Sequence, residues 1–226
     1  MEAIVFDLDE TLIDRGASLA RYASILWADT VPQGFTEAAF VSRFMRLDGN
    51  GYVPRPEFFQ RLSAEVIADF TAAQIEEHFY QHAWIQPLLF AGAAQGLTAL
   101  AARGLKLGIV SNGRARSQKA KIERTGLAEL VDGYVISETF GEKKPHPSIY
   151  QEIFRQLDID PKRAWFVGDH PVLDICGSAK MGFKTLWIER NTAWPDDQPR
   201  CADIVVSSLA EAFEALLVTD INEEEP

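Results

Sequence analysis

The chain has 226 residues, 47% of them hydrophobic, which is material for one α/β domain carrying an insertion or for two modest domains, each with a core. It carries 33 acidic against 22 basic residues, a formal net charge of -11. Such a molecule repels a nucleic-acid backbone or an anionic membrane surface, and an anionic substrate needs local positive charge to receive it. Cys176 and Cys201 make neither a disulfide framework nor a Cys-x-x-Cys motif, which points to a reducing compartment. With no basic leader and no apolar run of roughly 20 residues, a cytoplasmic protein without membrane or nucleic-acid partners is expected.

The first predicted strand, Ala3-Ile4-Val5-Phe6, opens onto Asp7-Leu8-Asp9-Glu10-Thr11. An apolar run followed at once by two carboxylates describes a central parallel strand whose carboxyl end is a ligand-binding edge. Alternation along the strand lets Asp7 and Asp9 share one crevice while Leu8 turns to the core. Carboxylates so close repel each other, so chemistry that uses them needs a cation, a shared proton, or both.

From residue 15 to about residue 85 the pattern is helical throughout. Leu19, Tyr22 and Leu26, then Phe40 and Phe44, then Phe58, Leu62 and Val66, each recur at helical spacing, and a fourth helix starts at the capping box Thr71-Ala72-Ala73-Gln74. Pro32-Gln33-Gly34 and Asp48-Gly49-Asn50-Gly51 break the helices, and Pro54 and Pro56 restart the chain. His78 and His82 lie four apart but not in a His-Glu-x-x-His motif, and read as a helix face.

Beyond Pro87, helices alternate with short apolar strands at 105–110, 134–136, 164–167, 185–188 and 203–206, the pattern of a doubly wound sheet. The strands are followed by polar residues: Ser111-Asn112-Gly113 after the second and Gly168-Asp169 after the fourth. Between them lies Lys143-Lys144-Pro145-His146-Pro147, and a helix is expected from about Val172 to Met181. The basic series Arg114, Arg116, Lys119, Lys121 and Arg124 reads as a solvated helix surface, and the acidic end Asn222-Glu223-Glu224-Glu225-Pro226 as a disordered tail.

In their order along the chain these segments resemble the four motifs of the haloacid dehalogenase superfamily of aspartate-nucleophile hydrolases, with its C1-type helical cap. The resemblance implies a Rossmann-like α/β core at 1–14 and 86–226 with an inserted four-helix cap at 15–85. Asp7 then stands at the nucleophile that forms an aspartyl-phosphate, and Asp9 at the general acid and base. Thr11, Ser111, Asn112 and Gly113 stand at the phosphate-binding positions. Lys144, directly before the first proline of Lys-Pro-x-Pro, matches the lysine that balances charge, in preference to Lys143. The resemblance further implies Mg²⁺ held by Asp7, the main-chain carbonyl of Asp9, and Asp169, with Asp174 holding its waters or orienting Lys144. Leu173 departs from the pattern, since many relatives carry Asn there. In the cap, loop composition selects Asn50, Tyr52 and Arg55 as substrate contacts.

The resemblance implies a Mg²⁺-dependent phosphatase of a small phosphorylated metabolite, akin to phosphoglycolate phosphatases and pyrimidine 5′-nucleotidases. A phosphomutase like β-phosphoglucomutase uses the same core. A 2-haloacid dehalogenase shares the nucleophile, but that branch typically lacks a carboxylate at the position of Asp9. A ligand-binding regulatory module on this fold is the non-enzymatic alternative.

Overall fold

A computed structural model describes residues 1–219, so the acidic end lies outside the described residues. Strand β1 (Ala3–Phe6) is buried at every position, and its alternate side chains divide between two cores. Ile4 and Phe6 join Leu107, Ile109, Trp165, Val167, Leu186 and Ile188 on one face of a sheet. Ala3 and Val5 join Val110, Val135, Ile149, Ile153 and Phe166 on the other. A strand covered on both faces has no solvent side to mark with polar residues, which is why it reads as an unbroken apolar run.

The sheet also contains β2 (Lys106–Ser111), β3 (Gly133–Ile136), β4 (Ala164–Gly168), β5 (Lys184–Ile188) and β6 (Ile204–Val206). Its order is β3-β2-β1-β4-β5-β6, with every pairing parallel. β1 is therefore flanked by β2 and β4, with Phe6 opposite Ile109 on one side and Val167 on the other. This is the doubly wound α/β fold expected from the alternation of elements.

The described residues divide into two compact units, residues 1–14 with those from 89 onward, and residues 15–88. The second unit is helical: α1 (Arg15–Thr30), α2 (Glu37–Asp48), α3 (Arg55–Glu65) and α4 (Ala72–His82). Its core is aromatic, with Tyr22, Phe40, Phe44, Phe58, Phe59 and Phe79 in mutual, mostly edge-to-face contact. Thr71 and Gln74 close the capping box at the start of α4. His78 bonds Tyr22 and Asp29 at 3.0 Å each, and its ring stacks on His82.

In the first unit, α5 (Ala93–Ala101), α6 (Ala115–Arg124), α7 (Ser137–Phe140), α8 (Pro147–Leu157), α9 (Gly177–Ala179) and α10 (Leu209–Thr219) surround the sheet. The helix expected from Val172 to Met181 is instead a π-helical turn, Pro171–Cys176, running into the short α9. Its first turn is wide because the His170 ring accepts the N–H groups of Val172 and Leu173 while Ile175 N–H reaches back to His170 O. Cys176 and Cys201, 25 residues apart in sequence, bring their free thiols to 2.7 Å. No helix among the described residues is long and apolar enough to cross a membrane.

The contact of α5 with α10 is set by Gly96, where an added Cβ would come within 2.3 Å of the Phe213 ring. Gly96→Ala should lower the urea midpoint. Overpacking costs about 1–3 kcal/mol, more than the roughly 1 kcal/mol alanine gains over glycine inside a helix. A midpoint equal to or above that of the parent chain would show that Phe213 yields freely.

Candidate active site

The site assembles where β1, β2 and β4 end. Asp7 extends β1 by one residue, and its N–H still donates to Val167 O at 2.8 Å, so its carboxylate is fixed by the sheet ladder. The chain then turns sharply. Leu12 and Ile13 N–H both return to Leu8 O, and Glu10 takes a positive φ of 61°. Leu8 lies in the core, and Asp9 emerges on the opposite side with a side chain 23% exposed. Thr11 is fully enclosed, and its hydroxyl has no hydrogen-bond partner among the described residues.

Lys144 enters the same space from the loop before α8 and is 2% exposed. Its ammonium has three donors and meets three acceptors: the Asp7 carboxylate, Asp174 Oδ1 at 2.7 Å and Val110 O at 2.8 Å. Burial opposes its charge, but Asp174 and Asp7 outweigh burial and hold the ammonium well above the usual lysine range. The main chain of Lys144 is itself clamped. Asn112 Nδ2 donates to Lys144 O at 3.0 Å, and Lys144 N–H donates to Asn112 Oδ1 at 2.8 Å. The Asn112 amide thus grips the neighbouring loop with one N–H and its oxygen. The N–H groups of Gly113 and Ala115, at the start of α6, likewise donate to Ser137 Oγ and Glu138 Oε2.

Asp169 follows β4 and Asp174 lies in the π-helical turn. Both Asp174 oxygens are engaged, Oδ1 by Lys144 Nζ and Oδ2 by His170 N–H at 2.9 Å. Gly168 allows this, since a Cβ there would stand 2.5 Å from Asp174 Cβ. Carboxylate oxygens of Asp7, Asp169 and Asp174 lie within 4.8 Å of one another. Burial, then the neighbouring carboxylates of Asp174 and Asp7, push Asp169 up to about 9. Burial likewise pushes Asp7 up to about 7, against the opposing pull of Lys144. Three carboxylates and one ammonium leave two formal negative charges. Hard oxygen donors with that charge suit a hard divalent cation.

A second network surrounds Asp9, and sequence reasoning missed it. Lys121 is no solvated surface residue: at 2% exposed it donates to both Asp9 oxygens at 2.7 Å. Gln118, equally buried, donates to Asp9 Oδ2 at 2.9 Å and to Ser111 Oγ at 2.6 Å. Ser117, Gln118, Lys121 and Ile122 form the buried face of α6. Ile122 is the only aliphatic residue larger than alanine in that helix, so its face was the available signal.

Asn50, Tyr52 and Arg55 lie in the helical unit. Gly49, Asn50 and Gly51 take left-handed conformations, and Tyr52 is 63% exposed. Arg55 does not stand free in the loop. It pairs with the fully buried Asp48 at 2.9 Å, beside Arg15 at 2.8 Å, and lies over the Phe58 and Phe79 rings.

Residues 4–188 match the family of haloacid dehalogenase-like hydrolases. A glyceraldehyde 3-phosphate phosphatase of Pyrococcus abyssi is 31% identical over 198 residues, 84% of this chain and 82% of the relative. A phosphoglycolate phosphatase of Rhodospirillum rubrum is 31% identical over 175 residues, 75% and 72% of the two chains. Among solved structures, a HAD phosphatase from Thermococcus onnurineus superposes with a TM-score of 0.66 at 24% identity, covering 96% of this chain and 98% of that one.

Removing the Lys144 ammonium strands two buried carboxylates. Lys144→Met should cost about 3–5 kcal/mol in chelator-treated protein at neutral pH, measured by urea denaturation. A cost below about 1 kcal/mol would mean that the pairing contributes little to the fold.

Proposed function

Since the chain belongs to the family of haloacid dehalogenase-like hydrolases and is a phosphoric monoester hydrolase, we propose that it is a Mg²⁺-dependent phosphatase working through an aspartyl-phosphate on Asp7. The supporting observation is the charge imbalance at the sheet edge, where buried Asp7, Asp169 and Asp174 face one ammonium, Lys144, and carry two negative charges in excess once all three are ionised. The carboxylates of Asp7 and Asp169 and the main-chain carbonyl of Asp9 are the groups that would hold Mg²⁺. When bound, Mg²⁺ supplies positive charge against the phosphoryl oxygens and relieves repulsion between them and the nucleophile.

The chain's own residues divide the remaining work. An Asp7 oxygen bonds to phosphorus as the ester P–O bond breaks, and Asp9 gives its proton to the departing oxygen. A water oxygen then bonds to phosphorus, its proton passes to Asp9, and the bond from Asp7 to phosphorus breaks to release phosphate. Asp9 ends each cycle protonated, as it began, and Asp7 ends it ionised. Lys144 keeps a positive charge beside the nucleophile throughout. The Ser111 hydroxyl is the proposed contact to the transferring group. Small phosphate monoesters are the substrate class, and the relatives' names put glyceraldehyde 3-phosphate and phosphoglycolate at the head of the panel to try.

Phosphate release should require both Mg²⁺ and Asp7. With a panel of phosphate monoesters, chelator or Asp7→Asn should lower kcat/KM by at least about 10³, within the range that loss of a nucleophile produces. No release from any ester, or release indifferent to Asp7, would overturn the reading. Metal binding also has a signature independent of turnover. Metal-free folded protein keeps protons on Asp7 and Asp169 up to about 7 and 9, where an unfolded chain has lost them near the ordinary 3.8. Its stability therefore falls as pH rises through that window, and cations compete better as the protons leave. Millimolar Mg²⁺ should raise Tm more at about pH 8 than at about pH 5. An equal or reversed increment would contradict metal binding by these carboxylates.

A further inference from the structure

Asp9 is held by two residues that none of the four motifs contains. Gln118 and Lys121 are three apart on α6 and so project from the same face. Lys121 Nζ donates to Asp9 Oδ1 and Oδ2 at 2.7 Å each and to Gln118 Oε1 at 2.8 Å. Gln118 Nε2 donates in turn to Asp9 Oδ2 at 2.9 Å, Ser111 Oγ at 2.6 Å and Asn112 O at 3.3 Å. Both side chains are among the few polar groups sunk to 2% exposure. Burying an ammonium and an amide is costly unless each is bonded. Here the bonds converge on a carboxylate that is itself partly open, with a side chain 23% exposed. A proton-transfer group that stayed mobile at such an opening would lose rate through disorder, because catalysis depends on pre-set geometry.

We propose that Lys121, seconded by Gln118, is a positioning residue that fixes the Asp9 carboxyl for proton transfer and ties it to Ser111 at the end of β2. The inference rests on the reading of Asp9 as the group that passes its proton to the leaving oxygen and takes one from water. Its specific consequence concerns the leaving group. An alkyl alkoxide cannot depart without that proton, whereas p-nitrophenolate departs readily without it. Mispositioning Asp9 therefore penalises alkyl esters selectively. General disruption of the site, by contrast, penalises both kinds.

The test compares Lys121→Met, Lys121→Arg and the parent enzyme on p-nitrophenyl phosphate and on the best alkyl phosphate of the panel. The quantity read is kcat/KM, because it reports the steps through departure of the first product and leaves out hydrolysis of the intermediate. Lys121→Met should lose about 10²-fold on the alkyl ester, the scale of general acid catalysis, and less than about 3-fold on the aryl ester. Lys121→Arg, which keeps a cation beside Asp9, should recover most of the alkyl-ester rate. Equal losses on the two esters, or no loss on either, would overturn the assignment. Tm accompanies each variant. If Lys121→Met does not fold, Gln118→Met, which retains the ammonium but removes the second donor to Asp9 Oδ2, must show the same selective loss in smaller measure, or the assignment fails. A parent enzyme that releases no phosphate from either ester removes the role of Asp9 and this inference with it. An active parent with a non-selective variant removes this inference alone.

Discussion

The ion pair of Lys144 with Asp7 and Asp174 is the constraint on which the rest of the site depends. One buried ammonium joins the end of β1, the main chain of β2 and the turn after β4, so three segments far apart in sequence are held in one register. Buried charges are tolerated only with near-complete hydrogen bonding, and here every donor of the lysine is spent. The surrounding details serve that requirement. Asn112 fixes the main chain of Lys144, His170 N–H occupies the second oxygen of Asp174, and Gly168 makes room for the Asp174 side chain.

The sheet order explains why these groups meet at all. β1 lies between β2 and β4, and parallel pairing makes all three strands finish on the same edge. Ser111, Asp7 and the Gly168-Asp169 pair are therefore neighbours by topology before any side chain is considered. The two apolar cores on either face hold the strands rigidly, and polar residues begin only where the strands end. Such a division suits a site whose geometry must be held to fractions of an ångström.

Much of this was legible in the sequence, for identifiable reasons. β1 could be read because a strand covered on both faces has no polar positions. The four helices of residues 15–88 announced themselves through aromatic spacing and the Thr71 capping box. Other features were hidden, because their partners are distant in the chain. Lys121 belongs to a series of five basic residues, and only the contact of α6 with Asp9, in the turn after β1, decides which is buried. Asp48, read as part of a loop, ends α2 and is buried beneath Arg15 and Arg55. The π-helical turn depends on the His170 ring accepting two main-chain N–H groups, which no periodicity encodes.

Two carboxylates separated by a single residue thus come to have opposite electrostatic settings. Asp9 pairs with Lys121, while Asp7 shares a single ammonium with Asp174 beside Asp169. With its carboxylates ionised, the first arrangement is locally neutral and the second retains a negative excess. The overall charge of -11 says little about either, because exposed charges are screened beyond about 8 Å at physiological salt. What an arriving phosphate ester meets is set by nearer groups. Apart from Lys121, which is paired with Asp9, α6 carries Arg116, Lys119 and Arg124 against Glu123, a net two positive charges in ten residues. An acidic protein can therefore present a locally cationic approach to an anion. The same helix that carries this charge also supplies Lys121, so a cationic surface and the contacts to the Asp9 carboxylate come from one element.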